Sequence, residues 1–250
     1  MSAYVLVERR RAVVEIALSR PEKRNAITDV MYAALADALE EADADAEAAV
    51  VILHAVGAHF TAGNDLKDFM AVATEGHEHR VSSVGRFLVA LTRFTKPLVA
   101  AVQGNAVGVG TTMLLHCDLV YCTRDAKFST PFVELGLTPE GGSSILLPDV
   151  MGHARAYAML ALGEVLDAEG ARAGGLVNAV VEDGAALEHA RAQAAVLSAR
   201  PPRALAITKQ LMRRDQQRLR DLMVTEGEHF YAQTKSSEAQ AAFARFFGAR

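Results

Sequence analysis

The chain has 250 residues, of which 51% are hydrophobic and 22% charged, with a formal net charge of −4 and a pI of about 6.1. This length suits one large domain, or one domain with an appendage, and the composition is that of an ordinary globular protein. The slightly acidic balance argues against a general nucleic-acid binder, which is usually basic.

Targeting signals and cysteine pairs are not evident in the sequence. The N-terminal stretch lacks a signal-like apolar run, and no window reaches the roughly 18–20 apolar residues of a membrane span. The two cysteines, Cys117 and Cys122, form neither a disulfide framework nor a CxxC pair. We therefore expect buried free thiols, a reducing compartment and a cytoplasmic protein without membrane or nucleic-acid partners.

The first predicted elements are two strands and a helix. Residues 4–9 and 12–18 alternate enough to predict two strands joined by a charged turn. After a loop, a helix should begin near Thr28 or Asp29, because both residue types stabilise a helix start. Large apolar residues then recur every four positions, at Met31, Leu35 and Leu39.

Apolar strands and another helix follow along the chain. Residues 49–55, 97–104 and 118–123 predict buried strands, and residues 81–95 predict a helix that Pro97 ends. Because these strands are apolar on both faces, helices should cover the sheet from both sides.

After Pro201 the pattern changes to helices of mixed charge. The last helix is amphipathic, with Ser237 as its expected cap and Phe243 on its apolar face. We therefore divide the chain into a core over residues 1–198 and a C-terminal helical region over residues 199–250. Such a tail can pack on a partner subunit or on its own domain, and the pattern leaves both open.

Three short segments are the strongest candidates for a functional site. They are FTAGNDLKDF (60–69), QGNAVGVGTTMLLHCD (103–118) and TPFVELGLTPEGGSS (130–144). The first two bring a small-residue turn to a helix start, where main-chain N–H groups lack partners. Two such turns meeting at one point would form an oxyanion hole. The third places Glu140 beside two glycines, and a carboxylate next to an oxyanion hole suits proton abstraction beside a carbonyl.

Each segment also has an ordinary structural interpretation. Gly108 and Gly110 would suit close packing of a helix on a strand, and Asn64 or Asp65 would cap a short helix. Glu140 would favour the first turn of a helix because of the helix dipole. For each segment taken alone, the structural interpretation is the stronger one.

The motifs in this order resemble the crotonase family, also called the enoyl-CoA hydratase/isomerase superfamily. The resemblance rests on SRPEKRNAI (19–27), AGNDLKDF (62–69), PLVAAVQGNAVGVG (97–110), CDLVYCTRDAKFSTPFVELGLTPEGG (117–142) and LGEVLDAEGARAGGLVNAVV (162–181). It implies an α/β fold with a crotonase-like β-β-α spiral core and a C-terminal helical trimerisation region. It also implies acyl-CoA thioester substrates and a homotrimer or hexamer.

The resemblance also assigns roles to residues. By position, the two oxyanion-hole N–H groups fall on Asn64 and Val109. Five further residues are implied to lie along the coenzyme A, the last three near its adenine end: Arg24, Ala26, Ala62, Leu66 and Lys67. An exposed helix lysine is the competing interpretation of Lys67.

Two positions depart from the hydratases of the family, which orient water with two glutamates. Thr112 occupies the first of these positions and Phe132 the second, and neither can act as a carboxylate. The remaining acid, Glu140, lies in a PEGG context that resembles the peroxisomal-type Δ3,Δ2-enoyl-CoA isomerases. The resemblance therefore implies that Glu140 alone moves a proton from C2 to C4 of a 3-enoyl-CoA, without a metal or separate cofactor.

Three functions stay open at this point. They are a Δ3,Δ2-enoyl-CoA isomerase of fatty acid oxidation, a hydratase or other crotonase-type enzyme, and a catalytically inactive acyl-CoA-binding subunit. Thr112 and Phe132 argue against the second, and Glu140 argues against the third. Glu134 would restore a two-acid mechanism if its side chain faced the pocket, and His116 is expected to be a packed core histidine.

Overall fold

The computed structural model describes residues 3–66, 82–213 and 215–248. Nine strands lie in these residues: β1 (Val5–Arg10), β2 (Val13–Leu18), β3 (Val50–Ala55), β4 (Leu98–Val102), β5 (Asn105–Val107), β6 (Leu119–Thr123), β7 (Lys127–Ser129), β8 (Leu166–Asp167) and β9 (Ala179–Val181). The same residues contain ten α-helices: α1 (Asp29–Ala44), α2 (Ser83–Arg93), α3 (Val109–Thr112), α4 (Ser143–Met151), α5 (His153–Leu162), α6 (Ala168–Ala173), α7 (Ala186–Ser198), α8 (Pro202–Met212), α9 (Gln216–Thr234) and α10 (Ser237–Gly248). Short 3₁₀ helices cover Pro21–Lys23, Met113–His116 and Val133–Leu135.

The strands form two sheets. The larger has the order β1-β2-β3-β4-β6-β9, and the smaller has the order β5-β7-β8. Strands β1 and β2 pair antiparallel, with Val5 opposite Leu18, and the remaining pairs of the larger sheet are parallel. The predicted N-terminal strand pair is confirmed.

Both faces of the larger sheet are covered, as its apolar strands predict. Val51 and Leu53 of β3 point to the main core, which also contains residues of α1 and α2. Val50 and Ile52 point to the opposite face, where alanines of α7 cover the sheet. The alternation follows from the period of two along a strand, and it confirms the predicted α/β class.

The predicted start of α1 is confirmed in detail, and α2 begins with a similar cap. Thr28 is the N-cap of α1, and its hydroxyl accepts the N–H of Met31 at 3.4 Å. Ser82 is the N-cap of α2, and its hydroxyl accepts the N–H of Gly85 at 3.1 Å. These caps satisfy N–H groups that a helix leaves unpaired at its start.

Two details differ from the predictions. The helix of the second segment is α-helical only over Val109–Thr112 and continues as a 3₁₀ turn over Met113–His116. The chain then leaves the helix, and Asp118 donates its N–H to the carbonyl of Leu98 at 2.8 Å. The prediction that Ser237 caps the last helix is wrong. The hydroxyl of Ser236 accepts the N–H of Ala239 at 3.1 Å, so the cap lies one residue earlier.

Cys117 and Cys122 are both free, as predicted, and Cys122 is buried whereas Cys117 is half-buried. Burial raises the pKa of each thiol to about 12. Within the described ranges, none of the helices combines the length and apolar character needed to cross a bilayer. The boundary between residues 198 and 199 falls just after α7, and the division into two regions stays a prediction.

Candidate functional site

The second glycine-containing segment forms a tight turn between a strand and a helix. Strand β5 leads into Gly108, whose φ of 57° and ψ of −119° lie in a region that L side chains rarely adopt. The N–H of Gly108 donates to Ser129 at 2.8 Å, and the Thr111 hydroxyl donates to the carbonyl of Ala106 at 2.6 Å. Helix α3 begins directly at Val109, so the N–H of Val109 has no acceptor inside the helix.

The first segment runs beside this turn. The N–H of Thr61 donates to Asn105 at 3.0 Å, and the N–H of Val107 donates to Thr61 at 3.1 Å. Gly63 approaches so closely that a Cβ there would lie 2.7 Å from the carbonyl oxygen of Val107. The turn that carries Asn64 is therefore packed directly on β5, which only a glycine at this position allows.

The two residues that flank Asn64 are hydrogen-bonded to Ile27. Ile27 donates to Gly63 at 2.8 Å and accepts from Asp65 at 2.9 Å. In a parallel pairing of this kind, the N–H of Asn64 points away from Ile27. Within the described residues, neither the Asn64 nor the Val109 main-chain N–H has a hydrogen-bond acceptor. Both of the predicted oxyanion donors are thus unpaired on adjacent segments.

Three of the residues implied to contact coenzyme A lie on neighbouring backbone. The N–H of Ala62 donates to the carbonyl of Arg24 at 2.9 Å, and Ala26 is two residues further along the same loop. Arg24 is exposed. Lys67 lies outside the described residues.

Phe132 forms an apolar wall beside the glycine turn. Its ring is buried, and its edge lies 3.9 Å from the position of a Cβ on Gly108. It packs edge-to-face on Phe230 of α9, with ring centroids 6.2 Å apart. Leu66 is partly buried against the same apolar cluster, so it lies on the Phe132 side of the site.

Glu140 lies against the first turn of α3. Its side chain is only 4% exposed, and its Oε1 accepts a hydrogen bond from the Thr112 hydroxyl at 2.7 Å. Thr112 is one helical turn beyond Val109, and its Oγ1 also lies 3.5 Å from the Val109 carbonyl oxygen. The acid and the predicted donor at Val109 are thus attached to the same short helix.

The surroundings of Glu140 change its proton affinity. Burial raises the pKa of Glu140 to about 7, the hydrogen bond from Thr112 opposes this rise, and the nearby carboxylate of Glu226 adds to it. A carboxyl group with a pKa near neutrality can both accept and return a proton at physiological pH.

Tyr32 of α1 is hydrogen-bonded to Asn64 and lies near Glu140, and the sequence reasoning missed it. The buried Tyr32 hydroxyl donates to the side-chain oxygen of Asn64. Burial, with the nearby Glu140 and Asp29 carboxylates, raises the pKa of the Tyr32 phenol. Tyr32 sits beside Met31 in the apolar stripe of α1, where core packing is the ordinary explanation of a tyrosine.

The two residues left open by the sequence have clear positions. Glu134 is exposed in a 3₁₀ turn, and its carboxylate packs against Gly163 at the end of α5 rather than against Glu140. His116 is buried, and its Nε2 lies 2.7 Å from the carbonyl oxygen of Gly141. Burial lowers the pKa of His116 to about 4, as suits the predicted core histidine.

Metal ligation has no evident site in the described part of the chain. No group of three His, Cys, Asp or Glu side chains there is placed to hold a metal ion.

A second residue that the sequence reasoning missed is Glu226, a buried acid of α9 that no sequence motif marked.

Comparison with known proteins places this geometry in a family. The family model for enoyl-CoA hydratase/isomerase matches residues 8–250. Human enoyl-CoA delta isomerase 2 is 33% identical over 97% of this chain, which spans only 62% of the human protein's length. The 1,2-epoxyphenylacetyl-CoA isomerase of Escherichia coli is 36% identical, with 84% of this chain and 82% of that protein covered. The solved structure of OdaA from Pseudomonas aeruginosa is 44% identical, covers 98% of this chain and 99% of its own, and has a TM-score of 0.94.

Proposed function

The chain belongs to the enoyl-CoA hydratase/isomerase family, and from this premise we propose that it is a Δ3,Δ2-enoyl-CoA isomerase of fatty acid oxidation. The crotonase resemblance found in the sequence is confirmed by the family match and by the likeness to solved structures. The named relatives catalyse different isomerisations, so the choice of reaction depends on the site itself. The observation that carries the proposal is the buried Glu140 hydrogen-bonded to Thr112, with Thr112 and Phe132 at the two positions that the family resemblance equates with the glutamates of hydratases.

The proposed reaction moves the double bond of a 3-enoyl-CoA to the 2-trans position. Ionised Glu140 takes a proton from C2, and the electrons of that C–H bond form a thioester enolate. The N–H groups of Asn64 and Val109 hold the enolate oxygen, an interaction whose loss typically costs on the order of 10²–10³ in rate.

The second half of the reaction returns the same proton. Protonated Glu140 delivers it to C4, where the electrons of the C3=C4 double bond form the new C–H bond. The C1=C2 electrons of the enolate become the C2=C3 double bond, the thioester carbonyl re-forms, and Glu140 ends ionised again. A carboxyl group with a pKa of about 7 suits both directions. The proposal needs no metal and no separate cofactor, because coenzyme A is part of the substrate.

The apolar wall favours isomerisation over hydration. Adding water to a 2-enoyl-CoA requires groups that orient and deprotonate that water. Phe132 is apolar, and the hydroxyl of Thr112 already donates to Glu140. Among the described residues the other buried acid near Glu140 is Glu226, whose oxygens accept hydrogen bonds from Gly142 and Ser144. That part of the site therefore offers water no second free acid, and this supports the transfer of a proton between two carbon atoms.

Substrate binding is proposed along the loop that carries Arg24. Ala62 donates its N–H to the carbonyl of Arg24, so the loop with Arg24 and Ala26 lies beside the segment that leads to Asn64. Leu66 borders the apolar cluster at the other side of that turn. Roles for these residues, and for Lys67, rest on the family resemblance.

Exposed apolar side chains support the proposal of a homotrimer or hexamer. Tyr157 and Leu162 of α5 and Val165 just after it are exposed, with Leu162 74% exposed. Leu211 and Met212 are exposed at the end of α8. Light scattering is expected to give three or six times the 26.7 kDa of one chain, and a monomer at micromolar concentration would contradict this part of the proposal.

A substrate comparison tests the reaction. Purified protein is given a 3-trans-enoyl-CoA and, separately, a 2-trans-enoyl-CoA, and conjugated thioester and hydrated product are measured. The proposal predicts conjugated thioester from the first and little hydration of the second. Hydration as fast as isomerisation would contradict it, and tight binding without turnover of either would favour an inactive acyl-CoA-binding subunit.

Matched variants test the role of the acid. Glu140→Gln is expected to remove isomerisation while leaving the fold and acyl-CoA binding intact. Glu134→Gln removes an exposed carboxylate six residues away and is expected to leave the rate unchanged. Full activity of the Glu140 variant would show that the proposed mechanism is wrong.

A further inference from the structure

Glu226 of the C-terminal helix α9 is bound to the loop that carries Glu140. Its carboxylate accepts the N–H of Gly142 at 2.6 Å, the N–H of Ser144 at 3.0 Å and the hydroxyl of Ser144 at 2.5 Å. The side chain is only 6% exposed. An acceptor of three hydrogen bonds at both oxygens is acting in its ionised form.

These contacts cap helix α4 from a distant element. Gly142 is the N-cap of α4, and it has no side chain that could accept the free N–H groups of the first turn. Glu226 accepts two of them instead, 84 and 82 residues away in the sequence. The turn is also held by the contact of His116 with Gly141, so the residues just after Glu140 are fixed on two sides.

Because Glu226 caps α4, the N-terminus of this helix stabilises the ionised form of Glu140 less. An acid just before a helix is ordinarily stabilised as an anion by the helix dipole and its free N–H groups. Here Glu226 accepts two of those donors, while among the described residues the Glu140 side chain accepts only the hydroxyl of Thr112. Ionising Glu140 therefore adds a second negative charge next to one that already holds the favourable position.

No nearby cation offsets this pair within the described residues. The charged and titratable groups around the turn are Tyr32 and Asp29 of α1, His116 of the 3₁₀ turn, Asp118, Lys209 and Arg213 beyond it, and Glu226 of α9. Lys209 and Arg213 are paired with Asp118, and His116 is uncharged at neutral pH because burial lowers its pKa to about 4. Neither Glu140 nor Glu226 has an ion pair in the described ranges.

We propose that Glu226 is a positioning residue for the isomerisation, which fixes the Glu140 turn and occupies the N-terminus of α4 so that Glu140 remains the group that gains and loses the proton. The inference rests on the proposed function of Glu140. It predicts that removing the charge of Glu226 makes Glu140 more acidic, an effect that a purely structural cap would not have.

The test compares two charge-removing variants on the same helix. Glu226→Gln is set against Glu228→Gln, which removes an exposed carboxylate two residues away. For each, the rate of isomerisation of a 3-trans-enoyl-CoA by the full chain is measured against pH. The Glu226 variant is expected to move the acid limb about 0.5–1 pH unit lower, and the Glu228 variant is expected to leave it in place. An unmoved acid limb in the Glu226 variant would overturn the proposal.

A second readout does not need catalysis. The free energy of unfolding is measured against pH for a form that contains Glu140 and for its E140Q counterpart. The pH dependence of the difference between the two reports the proton affinity of Glu140. The midpoint of this difference should fall by about the same amount in the Glu226→Gln background. If the protein proves not to isomerise, this measurement still decides the role of Glu226, and a midpoint that stays in place would contradict it.

Glu226→Asp covers the case in which the glutamine variant fails to fold. The aspartate keeps the charge but is one methylene shorter, so it should retain the wild-type acid limb while positioning the turn less well. A lower kcat, by about tenfold (near 1.4 kcal/mol), with an unmoved acid limb is expected. If the acid limb of the Glu226→Asp variant moved down as far as that expected for Glu226→Gln, the proposal would be contradicted.

Discussion

Glu15 and Glu140 are both buried carboxylates, with exposed fractions of 2% and 4%, but they lie in opposite electrostatic environments. Glu15 on β2 accepts two hydrogen bonds from Arg191 of α7, at 2.8 and 2.7 Å. It also lies 3.2 Å from Arg10 and 3.7 Å from His54. The carboxylate on this face of the sheet thus lies beside two guanidinium groups, those of Arg191 and Arg10.

Glu140 is buried without such compensation. Burial alone would raise the pKa of both acids, but at Glu15 the hydrogen bonds and charge of Arg191 outweigh it and lower the pKa. At Glu140 burial dominates, and the pKa rises to about 7. The same residue type therefore holds the sheet to α7 in one region and remains free to exchange a proton in the other.

The largest expected difference between the two acids is in catalysis. Glu140→Gln should lower kcat/KM for a 3-trans-enoyl-CoA by about 10²–10⁴-fold, because it removes the acid/base. Glu15→Gln should leave kcat/KM within about twofold at temperatures where the variant is folded. Steady-state kinetics of both variants check this contrast, and a large catalytic loss in the Glu15 variant would mean that the two regions are not separate.

The next expected difference is in the free energy of unfolding, where the larger loss is expected for the Glu15 variant. Glu15→Gln removes the buried charge that pairs with Arg191 and leaves Arg191 only its exposed partner Glu188, and it should destabilise the fold by about 2–3 kcal/mol at pH 7, somewhat less than for a fully buried pair. Urea unfolding followed by circular dichroism measures it. A change below about 0.5 kcal/mol would show that the pair contributes little.

Glu140→Gln should change stability in the opposite direction above neutral pH. The pKa of Glu140 is raised from 4.5 to about 7 by folding, so the folded state holds its proton more tightly than the unfolded state does. The contribution of protonated Glu140 to wild-type stability is then complete below about pH 4.5, and it is lost as the pH rises to about 7. The variant should lack this decline and be more stable than the wild type at pH 8 by up to about 3 kcal/mol, relative to the difference at pH 4.5. Parallel unfolding curves at all pH values would contradict this.

The rate should follow the ionisation of the same group. Because the base must be ionised to take the C2 proton, kcat/KM should fall as the pH drops through about 7, the pKa of Glu140. A pH–rate profile from pH 5 to 9 measures this, with an exposed-acid variant such as E134Q as the control. A rate that stays level down to pH 5 would show that Glu140 is not the base.

The smallest expected effect belongs to Thr112. Thr112→Val removes the hydrogen bond that opposes the rise in the pKa of Glu140, so the acid limb should move up by about 0.5–1 pH unit. Thr112→Ser keeps a hydroxyl and should restore the wild-type profile. A downward shift in the valine variant would contradict the sign of this interaction.

The local parts of the site could be predicted from the sequence, because they depend on neighbouring residues. The glycine turn before Val109, the cap of α1 at Thr28 and the apolar strands all follow from short patterns. The contacts of Tyr32 with Asn64, and of Glu226 with Gly142, join residues 32 and 84 positions apart. No local pattern encodes such pairs, since a tyrosine in an apolar stripe and an acid in a charged helix both have common structural explanations.

The central claim, that one acid carries the proton in both halves of the reaction, is tested most directly by isotope transfer. A 3-trans-enoyl-CoA carrying deuterium at C2 is converted in ordinary water under single-turnover conditions, and the product is examined by mass spectrometry and NMR. Because Glu140 is almost fully buried, we expect a measurable fraction of the deuterium to appear at C4. Product without deuterium at C4 would show that a second group or water delivers the proton there, and would contradict the single-acid account.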